Sequence, residues 1–539
     1  MADIQCPACN AVIQSKNGKF CEHCGTKLAA DSSPSVQNDV AVSQPPSIDK
    51  DKLWVATGKE PIYMITKMMN RHGLVAGATG TGKTVSIKVL SEIFSDIGVP
   101  VFLADIKGDV SGLCKMGEPN KRVEERVQSM NIPNFEYCDY PVRFFDVYGN
   151  NGIPVRATVS EMGPLLISRI LGLSETQAGV LQVIFKIADD NDLLLIDLKD
   201  LRAMVKYAGD NAKELAGTYG NISSQSVGAI QRNLLVLESS GGDIFLGEPA
   251  LDLSDWMGCD EKGRGFINIL DCVKLFQNPL LYSTFLLWML SALYEMMPET
   301  GDAEKPKMVF FFDEAHILFN DAPKVLLQKI EQVVRLIRSK GVGIYFITQS
   351  PADIPDTVLS QLGNKIQHAL RAYTPKDQKA VKATAASFRP NPEFNSEKVL
   401  GELSTGEALL SVLDENGAPQ MVQRAFILPP KSFIGPAEPQ RISDLVKSCP
   451  LFEKYGEAVD RESAYEVLKA KQQAADQAAQ NAAQKNQAKQ PAAKQTKAPA
   501  AKKTAKKTSA AGKVVSSAAN TIGREAGRAL VRGLLGNLK

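Results

Sequence analysis

The first residues, Met1-Ala-Asp-Ile-Gln-Cys6, lack the basic segment and the apolar run that a secretory signal needs. A cytoplasmic protein is therefore expected. Long hydrophobic runs are also scarce. The one segment that approaches the ~20 residues of a membrane span is Pro279 to Met297, and it carries Ser283, Thr284, Ser291 and Glu295 between two strand-like runs. A buried helix of an α/β layer fits it better than a span, so no integral membrane segment is expected. Beyond residue 24 the cysteines lack close partners: Cys114, Cys138, Cys259, Cys272 and Cys449 are scattered. In a reducing compartment these read as half-buried thiols. No compositional extreme appears either. Hydrophobic residues make up 44% and charged residues 23%, which excludes a wholly disordered, collagen-like or coiled-coil chain.

The net charge of +2 is small for 539 residues but unevenly spread. Residues 469–539 hold 15 Lys and Arg against 2 Asp and Glu, leaving 47 basic and 58 acidic residues elsewhere. An acidic body with a basic tail suggests an anionic partner for the tail.

Along the chain, residues 1–28 form a small cysteine module and 29–50 a polar linker. From Leu53 to Leu428 strand-like and helix-like segments alternate, as in an α/β sheet layered with helices. The strand runs are Leu74–Ala76, Val101–Ala104, Val142–Phe145, Phe266–Leu270, Met308–Phe312 and Ile344–Ile347. Consecutive apolar positions in them predict parallel strands covered on both faces. Helical spacing between about Val159 and Leu246 predicts a helical insertion in the 51–450 core. Glu407–Leu413 and Met421–Ile427 flank Asn416-Gly417 and predict a hairpin. A terminal helix is expected over 451–468. Beyond it the Ala, Lys, Gln and Thr composition predicts a disordered tail over 469–539. Near its end, Ile522, Ala526, Leu530, Leu534 and Leu538 recur every fourth residue with Arg524, Arg528 and Arg532 offset by two, an amphipathic pattern.

The strongest motif is Gly77-Ala78-Thr79-Gly80-Thr81-Gly82-Lys83-Thr84, lying between a strand and a helical run from Val85 to Phe94. Glycines let such a loop wrap phosphates with its N–H groups inward, and the following helix adds partial positive charge. Lys83 should reach the β and γ phosphates of ATP, and Thr84 should ligate Mg²⁺. The second motif is Met308-Val-Phe-Phe-Phe312 followed by Asp313-Glu314. Acids at the C-terminal end of a buried strand lie where open α/β sheets bind ligands. Asp313 is placed to hold Mg²⁺ through water, and Glu314 to orient and deprotonate the attacking water. His72 and His316 adjoin these motifs and read as structural hydrogen-bonding residues.

Cys6-Pro-Ala-Cys9 and Cys21-Glu-His-Cys24 form two C-x2-C knuckles about a dozen residues apart, suited to tetrahedral thiolate binding of Zn²⁺. The segment is too short to bury a core, so the metal would supply its folding energy.

The acid pair on a distant strand resembles the RecA-like branch of P-loop ATPases. Val333-Val-Arg335-Leu-Ile-Arg338-Ser-Lys-Gly341 through Thr348-Gln349-Ser-Pro351 resembles the arginine helix, strand and sensor of the FtsK–HerA family of hexameric DNA translocases. Asn70-Arg-His-Gly73, Ala104-Asp-Ile-Lys107-Gly-Asp109 and Phe388-Arg-Pro-Asn391-Pro resemble the bacterial HerA-like group of the YjgR type. The resemblance covers roughly residues 52–450. It implies that Gln349 is the γ-phosphate sensor and that Arg338 is an arginine finger reaching a neighbour's nucleotide, with Arg335 as runner-up. Lys107 is either a phosphate-approaching lysine or a surface one. Members often read Thr-Gln-Arg-Pro where this chain has Thr348-Gln349-Ser350-Pro351. Archaeal HerA proteins carry an N-terminal β-barrel that docks a nuclease, whereas the ~50 residues before the core here are far below a usual domain, so a nuclease partner stays unknown. The expectation is a RecA-like ATPase with a helical insertion, a zinc ribbon and a basic tail, closing into a homo-hexamer that acts on DNA. Two other readings stay open: an ATP-dependent switch or scaffold acting through the ribbon, and a membrane-associated ATPase.

Overall fold

The structure is a computed structural model that describes residues 4–5, 12–13, 51–301, 303–319 and 324–488. The chain divides into two units, Met1–Ile48 and Asp49–Lys539. In the first, β1 (Ile4–Gln5) pairs antiparallel with β2 (Val12–Ile13). The four knuckle cysteines lie outside the described residues, as do the linker and the amphipathic pattern near the C-terminus.

The second unit is built on one mixed sheet of twelve strands. In chain order they are β3 (Lys52–Thr57), β4 (Pro61–Ile65), β5 (Gly73–Ala76), β6 (Val101–Asp105), β7 (Val142–Asp146) and β8 (Ile153–Pro154). Then follow β9 (Ile267–Asp271), β10 (Met308–Phe312), β11 (Val342–Thr348), β12 (Asn364–His368), β13 (Glu407–Ser411) and β14 (Gln423–Ile427). Their order across the sheet is β4-β3-β14-β13-β12-β5-β11-β10-β6-β9-β7-β8. From β12 to β8 all neighbours are parallel, and from β12 to β4 all are antiparallel. The antiparallel edge includes the hairpin read from Asn416-Gly417, with Glu407 opposite Phe426 and Gly417 at φ 78°.

The apolar runs all form strands, with bounds within two residues of those read from the sequence, for a simple reason. Every residue of β5, β6, β10 and β11 is buried. A central parallel strand meets helices on both faces, so a continuous apolar run is stable there and nowhere on the surface. Pro279–Met296 is a helix buried along most of its length, with Phe285 and Trp288 meeting Phe245 edge to face. Apolar residues all round it mark a helix inside the protein. Among the described residues no helix is long and apolar enough to cross a membrane.

The insertion is helical, from Val159–Ile170 to Gly242–Phe245. Its starts are fixed locally: Thr158 with Glu161, and Ser174 with Gln177, form reciprocal capping boxes.

The C-terminal region departs from expectation. No single helix spans 451–468. Short helices occupy Pro439–Ser448 and Pro450–Tyr455, and a new one runs from Ala464 to Ala488, into the segment expected to be disordered. Ser463 and Glu466 cap its start, with the Ser463 N–H donating to Glu466 Oε2 at 3.0 Å. This is the S-x-x-E signature. Ala, Gln and Lys, which look like low complexity in composition, are strong helix formers once the first turn is nucleated.

Candidate nucleotide site

Register brings the motifs to one edge of the sheet. Ala76 of β5 lies beside Thr348 of β11, Phe346 of β11 beside Phe312 of β10, and Phe312 beside Ala104 of β6. The next residues on these strands are Gly77, Gln349, Asp313 and Asp105. All four therefore lie at the C-terminal edge, Gly77 and Gln349 two residues beyond the level of Asp313 and Asp105, where open α/β sheets bind ligands.

The loop 77–82 is clamped from both sides. Gly77 N–H donates to Thr348 O at 3.2 Å, Ala78 N–H to Ala369 O at 2.8 Å, and Gly406 N–H to Thr81 O at 2.8 Å. Thr79 and Gly80 form the exposed tip. Gly77 has φ 150°, and a Cβ there would lie 2.6 Å from His368 Cβ. Only glycine fits. Gly82 has φ 120° and precedes the first turn of α1 (Lys83–Asp96). Lys83 Nζ donates to the Gly77 carbonyl at 2.6 Å and the Ala78 carbonyl at 3.2 Å. Its ammonium pKa is lowered, chiefly by burial and then by the charge of Lys107. The lysine is thus held over its own loop, facing the place a phosphate would fill. Thr84 Oγ1 donates to Asp109 Oδ2 at 3.1 Å.

Asp313 and Glu314 stand across from this loop. Asp313 Oδ1 accepts the Glu314 N–H at 2.9 Å, and Tyr282 donates its hydroxyl to the Asp313 carbonyl at 3.0 Å. Burial and the adjoining Glu314 charge push the Asp313 carboxyl up to about 6. Glu314 is 6% exposed and has φ 46°, the left-handed region that a non-glycine residue occupies only at a cost of about 1–3 kcal/mol. Its Oε1 lies 3.5 Å from Lys107 Nζ and its Oε2 3.4 Å from His316 Nδ1. Glu314 Oε2 and His316 Nδ1 are both buried without a hydrogen-bond partner. A strained carboxylate with an unsatisfied oxygen is poised to accept a proton from a water placed there. Thr84 Oγ1 and Asp109 Oδ2 thus bring two hard oxygens together beside the loop, the ligand type that Mg²⁺ takes. Among the described residues no group of three or more His, Cys, Asp and Glu could hold a metal ion.

Gln349 is exposed and lines a cavity of about 520 Å³ with Ala78, His316 and Arg371. It therefore borders the phosphate loop. Arg338 does not. It is exposed in a turn that ends on Gly341, before the first residue of β11. Gln349 follows the last residue of that seven-residue strand. At ~3.3 Å per residue the two are on the order of 20 Å apart, on opposite edges of the sheet.

Sequence motifs gave no warning of His368. It is fully buried, with Nδ1 3.0 Å from Glu407 O and Nε2 2.8 Å from Ser86 Oγ. A backbone carbonyl only accepts, so Nδ1 carries the proton and Nε2 accepts from Ser86. The ring thus ties β12 to α1 behind the loop, and burial lowers its pKa to about 4. His72 is structural, as read from the sequence. At φ 56° it donates from Nε2 to Val334 O (2.7 Å) and accepts the Ile344 N–H at Nδ1 (3.0 Å).

Residues 50–539 match the family described as helicase HerA-like C-terminal. The chain is 24% identical over 352 residues to the DNA double-strand break repair helicase HerA of Sulfurisphaera tokodaii, covering 64% of this chain and 62% of the relative. It is 20% identical over 349 residues to the protein of the same name from Sulfolobus acidocaldarius, covering 64% and 62%. The chain thus spans 62% of the length of these curated relatives. Among solved structures, the plasmid coupling protein TrwB with a GTP analogue aligns at 14% identity and a TM-score of 0.49, over 72% of this chain and 92% of that one. VirB4 of Thermoanaerobacter pseudethanolicus aligns at 16% identity and 0.44, over 70% and 97%. The match over most of its length identifies the chain as a member of the helicase HerA-like C-terminal family.

Proposed function

We propose that this chain binds Mg²⁺-ATP at the C-terminal edge of its parallel strands and hydrolyses it to drive movement along, or unwinding of, DNA. The observation that carries the nucleotide reading is the convergence of the loop 77–84, Asp313 and Glu314 on that edge, fixed by strand register. The loop N–H groups and Lys83 hold the phosphates, with Lys83 exchanging the Gly77 and Ala78 carbonyls for phosphate oxygens. Thr84 and Asp313 hold Mg²⁺, which neutralises phosphate charge. Glu314 orients water and takes its proton. Gln349 senses the nucleotide from the end of β11.

Arg338 belongs to the opposite edge, so its proposed target is the nucleotide of a neighbouring copy. Head-to-tail contacts of this kind close into rings, and a homo-hexamer is the assembly proposed. DNA enters the proposal through the relatives' name, double-strand break repair helicase. The cysteine pairs Cys6/Cys9 and Cys21/Cys24 are proposed as a Zn²⁺ ribbon added to a core of the YjgR type, the latter on the segments Asn70–Gly73, Ala104–Asp109 and Phe388–Pro392. The proposed location is the cytoplasm.

Steady-state ATP hydrolysis with and without single- and double-stranded DNA tests this. Wild type should be stimulated by DNA. Glu314→Gln should bind Mg²⁺-ATP yet turn over at least ~100-fold more slowly. Hydrolysis indifferent to DNA would reject the motor reading and favour an ATP-dependent switch.

A further inference from the structure

Lys107 lies outside the phosphate loop and the acid pair, yet it stands between them. The residue is held by a turn that Asp105 organises from below. Asp105 is 5% exposed. Its Oδ1 accepts the N–H groups of Lys107 (3.2 Å) and Gly108 (2.8 Å), and its Oδ2 that of Val110 (3.2 Å). Gly108 has φ 75°, which completes the bend. A carboxylate that collects three backbone N–H groups fixes a loop firmly. The Lys107 stem therefore starts from a set point one strand away from Glu314.

From there its ammonium reaches Glu314 Oε1 at 3.5 Å, while the lysine side chain stays 45% exposed and the glutamate only 8%. The lysine caps the general base from the solvent side. Its charge is also felt at Lys83 and at Asp313, so it lies within electrostatic reach of both. Two lysines from different strands thus face one space, bounded by a carboxylate whose Oε1 is covered by Lys107.

A terminal phosphate entering that space carries about two negative charges, against one on Glu314. At equal distance its attraction for an ammonium is about twofold stronger. It also repels the Glu314 carboxylate. We propose that Lys107 is a second γ-phosphate-binding cation supplied by the same subunit, paired with Glu314 without ATP and transferred to the γ-phosphate when ATP binds. The transfer frees the second Glu314 oxygen, Oε1, and adds positive charge where the transition state accumulates negative charge. ADP offers no γ-phosphate, so with ADP the lysine stays on Glu314. This inference rests on the nucleotide reading of the site.

The test compares affinities of the full chain for ADP and for a non-hydrolysable ATP analogue, in wild type, Lys107→Ala, Lys107→Arg and Lys83→Ala. Lys107→Ala should lose at least ~10-fold in affinity for the ATP analogue, as expected for one charge-assisted hydrogen bond. It should keep ADP affinity within about twofold, and Lys107→Arg should recover most of the difference. An unchanged ratio of the two affinities in Lys107→Ala, while Lys83→Ala weakens both, overturns the role of Lys107 and leaves the nucleotide site standing. Equal loss of both nucleotides in Lys107→Ala overturns the γ-phosphate assignment in the same way. Full nucleotide binding by Lys83→Ala would instead overturn the nucleotide site itself.

Discussion

His368 lies in no motif and His72 sits in Asn70-Arg-His-Gly73, yet both are enclosed and neutral, with burial lowering each pKa to about 4 from an ordinary 6.5. Between pH 6.5 and 4 the unfolded chain binds these protons and the folded chain does not. Stability from both rings is therefore complete above 6.5 and lost as pH falls towards 4. A shift of this size is on the order of 3 kcal/mol per ring. Melting temperature should drop through that interval, and more gently in His368→Gln than in wild type. If the variant fell as steeply as wild type, the ring behind the phosphate loop would not be the titrating group. The reason for keeping it neutral is structural. Nε2 must accept the Ser86 hydroxyl while Nδ1 donates to Glu407 O, and a protonated ring has no acceptor.

Single elements show where local sequence suffices and where it misleads. The helix Ala464–Ala488 begins at a Ser-x-x-Glu cap, and Ser463 also bonds Asp200 inside the helical insertion. Lys199 adds ion pairs to Asp460 and Glu466. Because Ser463 serves both its own helix and a buried carboxylate, Ser463→Ala should destabilise by about 1–3 kcal/mol, the range for a lost cap plus a lost hydrogen bond to a charged group. Denaturant unfolding of the full chain would read this, with loss of helical signal at the same midpoint as the rest. A value within ±0.5 kcal/mol would show the cap to be ornamental, the size expected of an ordinary surface change. Read as composition, the segment is tail. Read as a cap followed by helix formers, it is helix.

For the whole molecule, the decisive fact is that Glu314 and Arg338 occupy opposite edges of one sheet. No side-chain motion closes a gap on the order of 20 Å, so one chain cannot present both to the same nucleotide. If Arg338 completes a neighbour's site, Arg338→Ala mixed with excess wild type should lower ATPase activity below the value for simple dilution. A finger acting across an interface disables the adjoining site as well. Activity falling in proportion to the wild-type fraction would make Arg338 a structural residue of the turn before β11.

The buried strands, the phosphate loop, the acid pair, the hairpin and the helical insertion are all legible in the chain before it folds. Each is encoded by neighbours in the chain: an apolar run, a glycine spacing, a turn dipeptide, a helical period. Tertiary structure alone decided the rest. Strand order placed Lys107 against Glu314, 207 residues away, and His368 against Ser86, 282 residues away. It also put Asp109 on Thr84 and separated Arg338 from its own nucleotide edge. These pairings come from which strands lie side by side, and adjacency in a parallel sheet follows from crossover connections that no local pattern records.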